Sequence, residues 1–323
     1  MNTTRRVILG LTAILGLAAA GLAGAQDYPS KPVRLVVPFP PGGVADNMAR
    51  AYSQELQKAW EQPVVVENRP GAGTTIGADI VAKSPADGYT IYLTNAGHLS
   101  SAVVYPKLPY NVEKDFAPVS LLADVPSILA APPSFHANNV RELVELAKAK
   151  PGTVNFASAG TGTGSHLMGE LLKSLAGIDI VHVPYKGTAP AYADLISGRV
   201  SLIFEPIGTM LPHIRGGKLK ALGITTAKRS PVAPEIAPIA EAVPGFDTST
   251  WYGILVADGT PPEVIKKLHG ELVRITDSPE MQKWMAVQGL QPVANDPAGF
   301  AAVLKEDLQR WSKLVKQAGI TVN

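Results

Sequence analysis

Short β-branched or aromatic runs, each bounded by Gly, Pro or Asn and each alternating with a stretch of helical period, limit what this chain can fold into. The runs are Val33-Arg34-Leu35-Val36-Val37, Val64-Val65-Val66, Tyr89-Thr90-Ile91-Tyr92-Leu93 and Val154-Asn155-Phe156-Ala157. Their length and composition are those of buried strands. Between them Met48, Tyr52 and Leu56 recur at steps of four, Leu143 pairs with Leu146, and Leu167, Leu171, Leu172 and Leu175 form one apolar face. A β-then-α order predicts parallel sheets covered by helices, the α/β class, with ligands at the carboxyl ends of the strands.

The chain's 323 residues suffice for two such domains at about 100–200 residues each. Two longer apolar runs, Ser120 to Ala131 and Trp251 to Ala257, stand apart from the pattern. They fit either of two arrangements. As the two crossings of a hinge, they divide the chain into a discontinuous first domain (26–125 plus 251–323) and an inserted second one (126–250). As ordinary strands, they belong to two sequential domains.

Residues 1–25 read as an address. Arg5 and Arg6 form a positive n-region, Val7 to Gly24 is uncharged and mostly apolar, and Ala23-Gly24-Ala25 has the small-x-small spacing of a signal-peptidase site. Gln26-Asp27-Tyr28-Pro29 then breaks the apolar run, and the expected cleavage is after Ala25. The paired arginines also resemble a twin-arginine signal, and a retained anchor helix is the alternative. Cleavage takes two of the 29 basic residues and none of the 27 acidic ones, leaving a formally neutral chain. That balance gives no support to a nucleic-acid surface. A 46% hydrophobic content argues against disorder, and no later run approaches the ~20 apolar residues of a membrane span. Without cysteine, disulfides, thiolate nucleophiles and thiolate metal clusters are excluded.

Glycine-rich loops carry the chemistry. Pro38-Phe39-Pro40-Pro41-Gly42-Gly43-Val44-Ala45-Asp46 follows the first strand and opens a helix. Glycine allows close backbone approach and the helix start offers amides to an anion, or the segment is a tight turn with Asp46 as N-cap. Ser158-Ala159-Gly160-Thr161-Gly162-Thr163-Gly164-Ser165-His166 alternates Gly with hydroxyl residues, and is expected to aim amides and up to three hydroxyls at one anionic group. Asn68-Arg69-Pro70-Gly71-Ala72-Gly73-Thr74-Thr75 is read as a helix-entry turn. Enzyme signatures are missing: residues 160–165 do not spell a dinucleotide fingerprint, and there is no phosphate loop and no nucleophile elbow. The six histidines show no metal spacing, so no metal or cofactor is expected.

Eight segments in register now carry a resemblance: PFPPGG with Asp46 and Ala49-Arg50, VVVENRPGAG, DGYT, KDFAPVSLL, FASAGTGTGSHL, VPYKGTAPA, LPHIRGGKLKALGITTAKRSP and WYG. Together they span the mature chain. The chain resembles the substrate-binding receptors of tripartite tricarboxylate transporters, the Bug family. The resemblance implies a periplasmic-binding-protein fold (type II-like, Venus-flytrap), with two α/β domains joined by a two-strand hinge, and favours the discontinuous first domain. It implies a monomeric periplasmic receptor, not an enzyme, that closes on a small carboxylate (a di- or tricarboxylate, an amino acid or an aromatic acid) and presents it to the permease subunits of the membrane transporter.

Carried over by position, the jaws are Phe39, Pro41, Gly42, Gly43, Ala45 and Asp46 on one side and Ser158, Gly162, Thr163, Gly164 and Ser165 on the other. Asn95, His98, Tyr185 and Glu205 complete the expected ligand-binding set. Ala45 stands where the family often has Thr, Glu205 where it often has Asp, and Pro206 to Gly208 where Asn or Ser is frequent. Glu205, if it faces the cleft, favours a ligand that donates hydrogen bonds or carries an amine. Two rival functions are a ligand sensor for a membrane signalling protein and a secreted enzyme with His98 or His166 as base.

Overall fold

A computed structural model describes residues 28–318, apart from Pro106 and Lys186. The expected export signal, residues 1–25, lies outside the described residues. The chain runs β1 (Val33–Val37), α1 (Val44–Trp60), β2 (Val64–Asn68), α2 (Thr75–Ala82), β3 (Thr90–Asn95), α3 (Gly97–Val104), β4 (Phe116–Val125) and β5 (Ser127–Ala131). It continues through α4 (Val140–Ala149), β6 (Asn155–Ser158), α5 (Gly164–Ala176), β7 (Val181–Pro184), α6 (Thr188–Ile196), β8 (Leu202–Pro206), α7 (Ile207–Arg215) and β9 (Lys220–Ile224). It ends with β10 (Thr250–Ala257), α8 (Pro262–Thr276), α9 (Pro279–Gln288), β11 (Gln291–Pro292) and α10 (Pro297–Ala318).

Among the described residues eleven strands make two sheets, ordered β11-β4-β10-β3-β1-β2 and β7-β6-β8-β5-β9. The expectation of purely parallel sheets needs correction. β1 pairs in parallel with β2 and β3, and β6 with β7 and β8, but β10, β4, β11 and β5 all pair antiparallel. The cause is the chain path. β4 passes through Pro126 directly into β5 of the other sheet, and the chain returns as β10, so these strands enter their sheets without a helical crossover and need not run parallel.

Periodicity explains the helices. α1 buries Ala45, Met48, Ala49, Tyr52 and Leu56 on one stripe against β1, and α4 buries Val140, Leu143 and Ala147 behind an Asn139 cap that accepts from the Glu142 amide. The second sheet's core includes Phe156, Phe204 and Phe246, each at most 1% exposed. At about 1.5–3 kcal/mol per fully buried side chain, such clusters dominate the fold's stabilisation. α10 serves both halves. Its Phe300 ring meets Trp251 edge-on at 5.2 Å, Asp307 accepts from the Trp251 indole at 2.7 Å, and its far end joins Trp311, Leu314 and Val315 to Val104 of α3 and Leu167 of α5. No helix among the described residues is long and apolar enough to cross a membrane.

Candidate functional site

A cavity of about 560 Å³ opens between the sheets. Its walls are the segments after β1 (Pro38–Pro40) and β2 (Pro70, Gly71, Gly73, Thr74), the β3–α3 junction (Asn95–Gly97), the loop before α5 (Ala159 and Thr161–Ser165), the start of α6 and the end of β8. These are carboxyl ends of parallel strands, where the following helices present their positive ends. Val104, Met168, Phe39 and Phe204 supply apolar wall, and among the described residues the lining holds one carboxyl, Glu205, and no Lys, Arg or His.

The 158–165 loop is built by its own hydrogen bonds. Gly160 and Gly162 take φ of 138° and 80°, a region an L side chain enters only with strain. The Thr163 hydroxyl donates to Gly160 O at 2.7 Å and lies 3.2 Å from Ser165 Oγ, which itself accepts from the Ala159 amide at 3.1 Å. Either hydroxyl can donate in the Thr163–Ser165 contact. Thr163 and Ser165 thus line the cavity and also brace the loop from within. The loop offers backbone to an anion as well. Thr163 makes no side-chain cap, leaving the orphan amides of Gly164, Ser165 and His166 at the start of α5 without one. α6 and α7, which also begin at the cavity, have no side-chain cap either; α1 and α8 share this away from it, while Asn139 caps α4 and Ser278 caps α9.

Two stacked imidazoles back this loop. The ring centroids of His166 and His182 lie 3.8 Å apart, their planes stacked roughly parallel to the Phe156 ring. His166 Nδ1 accepts from the Gly162 amide at 3.0 Å, and His182 Nε2 sits 2.6 Å from Ser158 Oγ. Burial, each other's charge and Lys173 push His166 down to about 3; burial and Lys173 push His182 down to about 4. Both are therefore neutral when folded, while the unfolded chain protonates them below about 6.5. Their contribution to stability is full above that pH and is lost as pH falls toward 4. Urea midpoints should accordingly decline between neutral pH and pH about 5 more steeply in wild type than in a His166→Gln/His182→Gln variant; parallel profiles would contradict this.

Of the expected ligand-binding residues, the structure brings Phe39, Asn95, Gly162, Thr163, Gly164, Ser165 and Glu205 into the lining. It does not bring Pro41, Gly42, Gly43, Ala45, Asp46, His98, Ser158 or Tyr185 there. The N-cap of α1 is Gly43, and Asp46 lies within the first turn. Its buried carboxylate accepts from the Gly42 amide (2.9 Å), Arg50 Nε (3.0 Å) and Asn68 Nδ2 (3.0 Å). Burial pushes this carboxyl up, but those bonds outweigh it and hold the group below the usual range. Asp46 thus braces the first loop. His98 is fully buried among Tyr92, Tyr110 and Phe116, because Gly97, Ser100, Ser101 and Val104 form the cavity face of α3 and residue 98 lies on its other side. Tyr185 donates to Asp194 at 2.7 Å, and Ser158 is engaged with His182.

Sequence reasoning missed the Pro70–Thr74 wall. There Ala72, Gly73 and Thr74 adopt φ of 44°, 60° and 85° in succession, a left-handed stretch with two non-glycine members of the kind stored at functional sites. The Pro-Gly-Ala-Gly spelling was its available signal. Thr188, Tyr252, Ser127 and Tyr105 also went unflagged.

The sequence model of the family described as "Tripartite tricarboxylate transporter family receptor" matches residues 48–320. The protein BugT of Bordetella pertussis is 38% identical over 327 residues, covering 99% of each chain. Among solved structures, the periplasmic binding protein BugD is 36% identical with a TM-score of 0.78, over 91% of this chain and 100% of that one. An R. palustris protein solved with adipate is 34% identical with a TM-score of 0.82, over 92% and 100%.

Proposed function

From the tripartite tricarboxylate transporter receptor family, to which this chain belongs, we propose that the protein captures a small carboxylate in the cavity between its sheets and presents it to a membrane transporter. The fold is that of the two-domain periplasmic binding proteins. One observation carries the reading: helix starts without side-chain caps converge on a cavity whose described lining has no basic side chain, which suits an anion held by amides and dipoles. At roughly 1.5–3 kcal/mol per charge-assisted hydrogen bond before ordering costs, four or five such bonds suffice for micromolar affinity.

The carboxylate docks on the amides of Gly164 and Ser165, and the facing wall from Pro38–Pro40, Pro70–Thr74 and Asn95 then closes over it. Asn95 already accepts from the Gly97 amide at 2.8 Å, which leaves its amide NH₂ to donate. The strand crossings near Pro126 and before Thr250 serve as the hinge of a discontinuous first domain, closing by rigid-body rotation. The chain is exported to the periplasm with cleavage after Ala25 and acts as a monomer. The enzyme alternative loses support, because neither His98 nor His166 belongs to the lining.

A thermal-shift screen of di- and tricarboxylates, amino acids and aromatic acids tests this, since a ligand of the folded state raises Tm by mass action. No shift with any carboxylate would sink it. In the same assay Thr163→Ala/Ser165→Ala is expected to weaken binding about tenfold, about 1.4 kcal/mol, by loosening the loop that aims the amides. Unchanged affinity would remove both hydroxyls from the site's construction.

A further inference from the structure

Glu205 is out of place in a cavity built for anions. It is the penultimate residue of β8, is 8% exposed, and lines the same cavity as the uncapped start of α5. Its Oε1 accepts from the Thr188 hydroxyl at a long 3.4 Å. The other titratable groups acting near it are the phenols of Tyr192 and Tyr252, each perturbed by its charge, and no basic side chain is among the described lining residues. Burial, only partly offset by Thr188, pushes its carboxyl up to about 7.

Among the described residues no cationic side chain faces this carboxylate once it is ionised. A dianion entering the cavity would place two more negative charges beside it, and binding is favoured by a proton placed on Glu205 or on the ligand itself. A ligand bringing its own cation meets no such cost. We propose that Glu205 is the specificity residue of this cleft and that the ligand is a carboxylate carrying a protonated amine, its carboxylate on the helix amides and its ammonium donating to Glu205. This rests on the carboxylate-receptor reading above and narrows it: the R. palustris relative was solved with a dicarboxylate, and Glu205 turns this chain toward zwitterions.

The test is calorimetry at neutral pH with pairs matched in chain length: glutarate against γ-aminobutyrate, and adipate against δ-aminovalerate, with aspartate and glutamate alongside. Wild type is expected to bind an amino acid of this set at least tenfold more tightly than the diacids. Glu205→Gln should lose at least tenfold on that amino acid while losing nothing on the diacids. Proton linkage in wild type, read from buffers of different ionisation enthalpy, checks the same point without a variant: amino-acid binding should release protons and diacid binding take them up. Tighter binding of the diacids, or amino-acid affinity and proton release unaffected by Glu205→Gln, overturns the proposal and leaves the receptor reading intact. Failure of every carboxylate to bind overturns both.

Discussion

Phe156→Ala is expected to remove about 3–5 kcal/mol of stability, seen as a lower urea midpoint at an unchanged slope. The ring is fully buried in β6 and packs in a cluster with Met168, Leu172 and Leu202. A Cβ on Gly169 would stand only 2.1 Å from its Cε2, so α5 has no side chain there to fill the space a truncated Phe156 would leave. The effect extends to the site. The Phe156 face supports the stacked imidazoles of His182 and His166, which in turn hold Ser158 and the Gly162 amide. Ligand affinity should therefore fall together with stability, whereas a comparably severe deletion in the other sheet, Leu35→Ala, should lower the melting temperature and leave affinity within a few-fold. Equal affinities for the two variants would show that the aromatic platform does not position the loop.

Gly208→Val is expected to cost at least tenfold in affinity, about 1.4 kcal/mol. Gly208 begins α7 beside the second sheet, and a Cβ there would lie 2.1 Å from the carbonyl oxygen of Gln288, at the end of α9 on the first sheet's side. The obstacle is backbone at both contacts, so no rotamer relieves it. The two halves must separate by the width of the added side chain, and closure then competes with the clash. An apparent affinity reduced by the fraction of closed molecules follows directly. Calorimetry with the best ligand from the screen, together with the radius of gyration in solution, checks this: wild-type affinity in an expanded or unchanged molecule would separate closure from binding.

Much of this architecture was legible. Buried strands such as Val33–Val37 announce themselves by β-branched runs, and the turns after them need glycine, so both the strands and the loop before α5 stand out in the sequence. The antiparallel members did not, because β4, β5 and β10 are apolar on both faces and such runs carry no direction. Within the site the sequence names the groups able to donate but not the partners that consume them. Thr163 donates to Gly160 and touches Ser165 inside the loop; Asp46 is spent on Arg50, Gly42 and Asn68. His98 is absent for a different reason: the helical period puts it off the face shared by Gly97, Ser101 and Val104, and only the fold decides which side meets the cavity. Glu205 was visible as a departure, while its burial was not.

The closed chain of bonds from Ala159 to Ser165 and Thr163 to Gly160 also bears on kinetics. A loop rich in glycine would ordinarily sacrifice much conformational entropy on gripping a ligand. Here that loss occurs once, when the protein folds, and the amides wait in their working positions. Encounter then requires no local rearrangement of this wall, so arrival rates should be similar across ligands, and competing solutes will be told apart by how long each one stays.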